Sequence, residues 1–330
     1  MVGTLPGRTQ GLGLITEPLL ADLQLSRIDY ASINLWATLI GSLFCLPCGR
    51  LVDRAGSRVV LTGLAVALGL TVVAMGQLTG MIAVAAAITL TRGFGQSALS
   101  VVSLALVGKW FNDRISYAMG VYSLLVGIGF VTAFPLVGQS VLANGWRFTW
   151  TVVGWSLLLV LAPLAWLFVR NGLAPTLTTT DRTVEHQDSL TLAEALRSPS
   201  FWVFALASSL FGLVYSGISL FNQSILEQRG FDATVYHTVL VVSTLLGLAA
   251  NFGGGWLAMR WPLQRLMGVG MAVLAGSLLL LPVVASYGQV MAYGLMMGVA
   301  GGVVTVVFFS VWRQVYGSEH LGRIQGAAQM

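Results

Sequence analysis

Charge is the scarcest property of this sequence. Of its 330 residues only 9% are Asp, Glu, Lys or Arg, and Lys109 is the single lysine. Soluble domains carry about 25% charged residues, so a soluble globular fold is excluded. Cysteine is scarce as well: the two present, Cys45 and Cys48, cannot build a disulfide framework. Their C-x-x-C spacing copies a redox motif. A membrane thiol oxidoreductase would need a second pair to relay electrons, and the sequence has none, so that reading is set aside. The first residues, Met-Val-Gly-Thr-Leu-Pro-Gly-Arg, lack the basic-then-apolar order of a cleavable signal peptide. Acids are missing where they would matter most. Between the second and tenth apolar runs no carboxylate lies clearly inside a run, which leaves Glu17 as the one embedded candidate for proton coupling. His237, with Asp232 near it in sequence, stands at the mouth of the eighth run, as a titrating group or simply a solvated one.

What is there is apolar: 56% of the chain, arranged in runs of the roughly 20 residues that a helix needs to cross a bilayer. Ten segments are predicted, near 1–21, 30–52, 59–77, 81–107, 116–141, 148–169, 201–224, 234–258, 264–284 and 289–312. The polar stretch 171–199 between the sixth and seventh includes Pro175 and Thr178 to Thr180 and reads as a connector or a plain disordered linker. Thr191-Leu-Ala-Glu194 within it fits a capping box for a short amphipathic helix. The expected class is an all-α membrane protein with the lipid bilayer as its solvent, placed in the cell membrane.

Basic residues then set the orientation. One set of loops holds Arg50, Arg54, Arg58, Lys109, Arg114, Arg170, Arg182, Arg197, Arg260, Arg265, Arg313 and Arg323, while the other holds Arg27, Arg147 and Arg229. The richer set is expected in the cytoplasm. The net charge of +5 thus reflects topology and calls for no nucleic-acid partner.

Two arginines, Arg8 and Arg92, fall inside segments. At about 1.5 Å per residue, both lie near the middle of a hydrocarbon layer about 30 Å thick. Ionisable groups at such depth mark a pathway or a firm protein partner. Arg8 follows Pro6-Gly7, a pair that weakens a helix and can turn backbone groups toward a cavity. Two guanidinium groups attract an anion, and a planar fork suits a carboxylate. The competing role is structural anchoring, above all for Arg92. Gln10, close to Arg8, is a further polar candidate. In the seventh segment Tyr215, Ser216, Asn222 and Gln223 form a polar stripe that either lines the path or bonds neighbouring helices. Gly294, Gly298, Gly301 and Gly302 in the tenth suit close helix packing.

Residues 49 to 58, Gly-Arg-Leu-Val-Asp-Arg-Ala-Gly-Ser-Arg, put four charges in ten positions between two apolar runs. Three arginines in hydrocarbon would cost about 2.5–3.5 kcal/mol each, so the stretch must be a tight aqueous turn. It resembles the loop between the second and third helices of the major facilitator superfamily, G-x-L-x-D-R-x-G-x-R, through Gly49, Leu51, Asp53, Arg54, Gly56 and Arg58. Gly255-Trp-Leu-Ala-Met-Arg260, 206 residues later, repeats glycine, leucine and arginine in register, as parallel transporter repeats require. The resemblance implies two pseudo-symmetric helix bundles around a path lined by helices 1, 4, 7 and 10. The halves would be residues 1–170 and 201–330 around a cytoplasmic linker at 171–200. Asp53, Arg54 and Arg58 would gate, Asp53 by facing the start of helix 11. The 206-residue offset predicts a chain truncated before helix 1 is complete and after the start of helix 11.

Finer elements narrow the branch. Leu5-Pro-Gly-Arg8, Gly108-Lys-Trp-Phe-Asn-Asp-Arg114 with Ala118-Met-Gly120, and Gly145-Trp-Arg147 are similar to monocarboxylate transporters and their bacterial relatives. Arg92-Gly-Phe-Gly-Gln resembles the superfamily's fourth-helix element, whose arginine can bond helix 1. The branch's helix 8 Asp/Arg pair is absent, with only Asn251 offered there. The antiporter motif of helix 5 is broken at Phe134-Pro-Leu-Val-Gly138, although Pro135 stays a kink candidate. What the resemblance implies is a secondary transporter of a small organic anion, not an enzyme, coupled to a proton or an exchange anion and needing no cofactor or metal. A drug or metabolite exporter of the same fold, and a non-transporting membrane sensor, stay open.

Overall fold

Apolar side chains facing outward and polar ones facing inward invert the arrangement of a soluble protein. The computed structural model of the chain describes residues 1–110, 115–169 and 191–316, together with Ile324 and Ala328. Ile82 is 86% exposed and Leu279 78%, while Thr91 is fully buried and Arg92 is 3% exposed. Every element among the described residues is helical, as a bilayer core demands of a chain that must satisfy its own backbone. Nine helices among them are long and apolar enough to cross a membrane. The chain is a multi-pass membrane protein.

Contacts divide it into two compact units, Met1–Thr176 with Ser219–Ile225, and Leu177–Ile218 with Leu226–Met330. In the first, the expected opening span is broken into pieces. A 3-10 helix at Val2–Gly7 is followed by α1 (Thr9–Gly13) and α2 (Thr16–Leu23). Then come α3 (Arg27–Ser42), α4 (Cys48–Met75), α5 (Met81–Thr91), a π-helical stretch at Arg92–Leu99, α6 (Ser100–Trp110), α7 (Ile115–Asn144), α8 (Trp146–Ser156) and α9 (Ala162–Phe168). The break has a sequence cause: Pro6 has no amide hydrogen, and Gly7 and Gly11 let other backbones approach. A Cβ on Gly7 would stand 2.2 Å from the Thr91 carbonyl oxygen, and one on Gly11 1.9 Å from that of Leu5.

The tight turn expected at 49–58 is narrower than the charged stretch. Helix α4 already runs from Cys48, and the reversal is confined to Gly56, at φ 82° and ψ 154°. Only glycine adopts that conformation cheaply. Gly145, at φ 82°, makes the same kind of reversal between α7 and α8. There Arg147 ties three helices together. Its Nε donates to Asp22 at 2.7 Å and its Nη1 to the Gly76 and Leu78 carbonyls at 3.1 and 2.7 Å, while Trp146 Nε1 donates to the same carboxylate at 3.1 Å. Arg27 pairs with Glu17 at 2.9 Å.

The second unit holds α10 (Leu192–Arg197), most of α11 (Pro199–Gln228), α12 (Ala233–Ala258), α13 (Leu263–Leu280) and α14 (Tyr287–Tyr316). The Thr191 and Glu194 capping box forms, and Ser198 shares a 2.6 Å hydrogen bond with Tyr316. The glycines of the tenth segment do pack helices. A Cβ on Gly298 would lie 2.2 Å from the Ser243 carbonyl and one on Gly302 2.3 Å from that of Gly247, so α12 and α14 touch backbone to backbone.

Candidate functional site

The first unit carries its two embedded arginines at irregular points of the backbone. Arg8 has extended dihedrals, φ −85° and ψ 150°, and links the 3-10 helix to α1. Arg92 opens the π-helical stretch within the fourth span, where the wider backbone turn is a frequent mark of function. The two meet through a neighbour: Thr9, next to Arg8 in sequence, accepts from Arg92 Nη1 at 3.4 Å.

Arg92 is held on all sides. Nη2 donates to Asn34 Oδ1 of α3 at 2.7 Å and Nη1 to Gln96 Oε1 at 2.9 Å. Its Nε has no partner among the described residues. Glycines let the three strands of this crossing close up, since a Cβ on Gly41 would lie 3.0 Å from the Gly93 nitrogen and one on Gly93 2.7 Å from the Phe44 ring. All three of its acceptors are neutral, so none of them offsets the charge of the guanidinium.

Arg8 is less enclosed. Its Nε donates to Thr4 Oγ1 at 2.8 Å, Nη2 reaches the Met1 sulfur at 3.4 Å, and the guanidinium carbon sits 5.1 Å from the centre of the Phe130 ring. Its Nη1 makes no hydrogen bond among the described residues. Neither Arg8 nor Arg92 pairs with a carboxylate there. Chemically these are two partly desolvated cations that a small anion would complement.

The other sequence candidates scatter. Gln10 is half-buried beside Thr9. Asn222 and Gln223 are buried in the Ser219–Ile225 stretch of the first unit. In that stretch Phe221 stands edge-on to Tyr30 at 6.2 Å, and Ser224 donates to Glu17. Tyr215 lies in the second unit, stacked on Phe211 at 5.3 Å and close to Gly301. Of the gating set, Gly56 makes the reversal, Arg54 is exposed, and Arg58 lies 4.3 Å from the Trp166 ring centre. Gly49 lies in the first turn of α4 and Lys109 at the end of α6, while Arg114 and the connector at 170–190 fall outside the described residues, as does the Asp53 side chain. Cys45 and Cys48 are free thiols bonded to the Ser42 and Phe44 carbonyls. The second unit also contains a cavity of about 310 Å³ lined by Ser208, Phe211, Thr305, Phe308 and Phe309 among others.

Sequence reasoning missed Thr4, Asn34 and Phe130, and named Gln96 only as part of the fourth-helix element. Gln96 carried a signal, four positions from Arg92 on the same helix face. Asn34 carried one too, as an amide in an apolar run.

The apolar exterior, the two helix units and the guanidinium groups at helix breaks define a multi-pass α-helical membrane protein with charge held inside it. The chain matches the Major Facilitator Superfamily profile over residues 9–330 and belongs to that family. It is 26% identical over 313 residues to monocarboxylate transporter 13 of Rattus norvegicus, covering 93% of this chain and 70% of the relative. A probable L-galactonate transporter of Escherichia coli (strain K12) is 28% identical over 137 residues, 37% of this chain and 29% of the relative. In fold it is similar to a bacterial homologue of the human lysosomal transporter Spinster, solved inward-facing and unoccupied. The TM-score is 0.76 at 17% identity, over 99% of this chain and 76% of that one. A point mutant of the nucleoside transporter NupG gives a TM-score of 0.79 at 11% identity, over 99% and 85%.

Proposed function

We propose that this protein is a secondary transporter that carries a small, monocarboxylate-like organic anion across the cell membrane by alternating access. Arg8 is its principal anion contact. The observation that carries the reading is the Arg8 guanidinium, at a helix break, with Nη1 unbonded and no carboxylate to neutralise it among the described residues. A buried cation without a counter-ion is costly, and a bound carboxylate removes that cost. Names of relatives support it: one is a monocarboxylate transporter, and another is described as moving the anion of a sugar acid.

Arg92 and Gln10 complete the anion contact, with Tyr215, Asn222 and Gln223 contributing polar contacts along the path. Gly49, Asp53, Arg54, Gly56 and Arg58 form the cytoplasmic gating element. A proton or an exchange anion supplies the coupling. Proteoliposomes loaded with unlabelled lactate, pyruvate or oxalate and challenged with the labelled compound provide the test. Uptake that disappears in Arg8→Gln supports the reading, and equal uptake by the variant removes it. A neutral apolar cargo is the second reading, favoured by the uncharged aromatic and hydroxyl lining of the 310 Å³ cavity. It predicts competition by neutral compounds and none by carboxylates.

A further inference from the structure

Helix α12 has two unlike faces. Gly247 and Gly254 turn one of them onto α14, since a Cβ on Gly247 would lie 3.1 Å from the Gly298 carbonyl oxygen and one on Gly254 3.7 Å from a Val306 methyl. The other face carries Phe252, Trp256 and Met259, at the i, i+4, i+7 spacing of a single helical stripe. These three are 53%, 51% and 77% exposed, and a Cβ on Gly253 beside them would meet nothing within 4 Å. On a membrane span, an outward apolar stripe lies against acyl chains.

The stripe runs into charge. Arg260 follows it directly, with its guanidinium carbon 4.1 Å from the centre of the Trp256 ring. The chain then reverses between Ala258 and Leu263, where α13 begins. Backbone bonds pin the reversal: the Arg260 and Trp261 amides donate to the Leu257 carbonyl at 2.9 and 2.8 Å, and the Arg265 amide to that of Pro262 at 3.0 Å. Arg260 and Arg265, both exposed, thus flank one tight turn, with the exposed Trp261 between them. What this corner lacks is an acid. The sequence has no Asp or Glu between Asp232 and Glu319, and no carboxylate among the described residues pairs with Arg260 or Arg265. Arg147, which also stands over a tryptophan ring, pairs with Asp22 at 2.7 Å. The internal repeat sharpens the contrast, because Asp53 and Arg54 of the first copy correspond to Met259 and Arg260 of the second. The second copy carries the arginine without the acid.

We infer that this corner binds an anionic phospholipid, with the headgroup phosphate on Arg260 and Arg265 and an acyl chain along Phe252, Trp256 and Met259. A guanidinium fork donates to two phosphate oxygens at once, and the indole under Arg260 steadies it from its other face. A zwitterionic lipid brings its own cation to a corner that holds two already. A lipid of net negative charge supplies the missing counter-ion, so the charges select it. The inference does not depend on what the protein carries.

The test is native mass spectrometry of the detergent-purified full chain, titrated with phosphatidylglycerol and, separately, with phosphatidylcholine of the same acyl chains. Wild type is compared with the double variant Arg260→Gln with Arg265→Gln, and with Arg229→Gln, which removes a charge from another exposed position. Thermal midpoints establish that each variant is folded. Wild type is expected to hold its first phosphatidylglycerol more tightly than its first phosphatidylcholine. The double variant should lose about 25-fold of that affinity, at about fivefold for each arginine beside an anionic headgroup, while Arg229→Gln binds as wild type. Equal affinity for the two lipids, wild-type binding by the double variant, or as large a loss in Arg229→Gln overturns the site. Displacement of phosphatidylglycerol by inorganic phosphate at equal concentration also overturns it, because the corner would then recognise a bare anion and not a lipid.

Discussion

Arg92 donates through Nη2 to the Asn34 side-chain oxygen at 2.7 Å, across 58 positions of sequence and between two membrane helices. A hydrogen bond to a charged group is worth about 1.5–3 kcal/mol, and its loss leaves a buried cation under-satisfied. Asn34→Leu is therefore expected to lower the thermal unfolding midpoint in detergent clearly. Arg92→Lys should be no milder, because one ammonium cannot span Asn34, Gln96 and Thr9 as a planar fork does. Unchanged midpoints in both variants would remove the bracing role.

Gly7 offers a sharper steric test. An added methyl group would lie 2.2 Å from the Thr91 oxygen and 3.0 Å from the Gln96 nitrogen, both backbone atoms that cannot step aside. Gly7→Ala should destabilise by about 1–3 kcal/mol, the usual cost of overpacking, and reduce transport by displacing Arg8. Gly212→Ala is the control, since nothing lies within 4 Å of its Cβ. The pair separates steric exclusion from a general effect of replacing helical glycine, which predicts equal behaviour at the two positions.

Asp232 caps helix α12 and gives a pH-dependent term. Hydrogen bonds from the Thr234 hydroxyl, and then from the Val235 amide, hold its carboxyl below the ordinary carboxylate value of 3.8. A depressed pKa means that the capping contribution is complete above that ordinary value and is lost as pH falls through the lower, folded one. The difference in thermal midpoint between wild type and Asp232→Ala should be constant around neutrality and shrink as the pH is taken below about 3.8. A difference that grows in acid would contradict the assignment.

The two thiols, by contrast, are expected to be silent. Cys45 and Cys48 each bond a backbone carbonyl one turn back, as small helix residues do. Cys45→Ser with Cys48→Ser should leave transport within twofold of wild type, roughly the scatter of a neutral surface-type change. Loss of activity on oxidation in wild type alone would reopen a redox role.

The helices were legible because a bilayer fixes their length and apolar character together. The run expected near 234–258 forms α12 at Ala233–Ala258, and that near 264–284 forms α13 and the short turn after it. The break before Arg8 was legible from Pro6-Gly7, since both residues act on the backbone itself. The division of the first span into three pieces was not, because it depends on Gly11 receiving the Leu5 carbonyl, a tertiary contact. Charge density at 49–58 suggested a tight aqueous turn across the whole stretch, and helical backbone persists up to Gly56 because arginines are good helix formers wherever water can reach them.

Gly7, Gly41 and Gly93 bring three main chains together at one depth with no room for a methyl group. Material squeezed that tightly can tilt about the crossing but can hardly slide through it. On the transport reading proposed above, the crossing would serve as a fulcrum, about which the ends of these helices swing while the two arginines beside it keep their places. A guest held at that level would be handed from one side of the membrane to the other almost without moving itself.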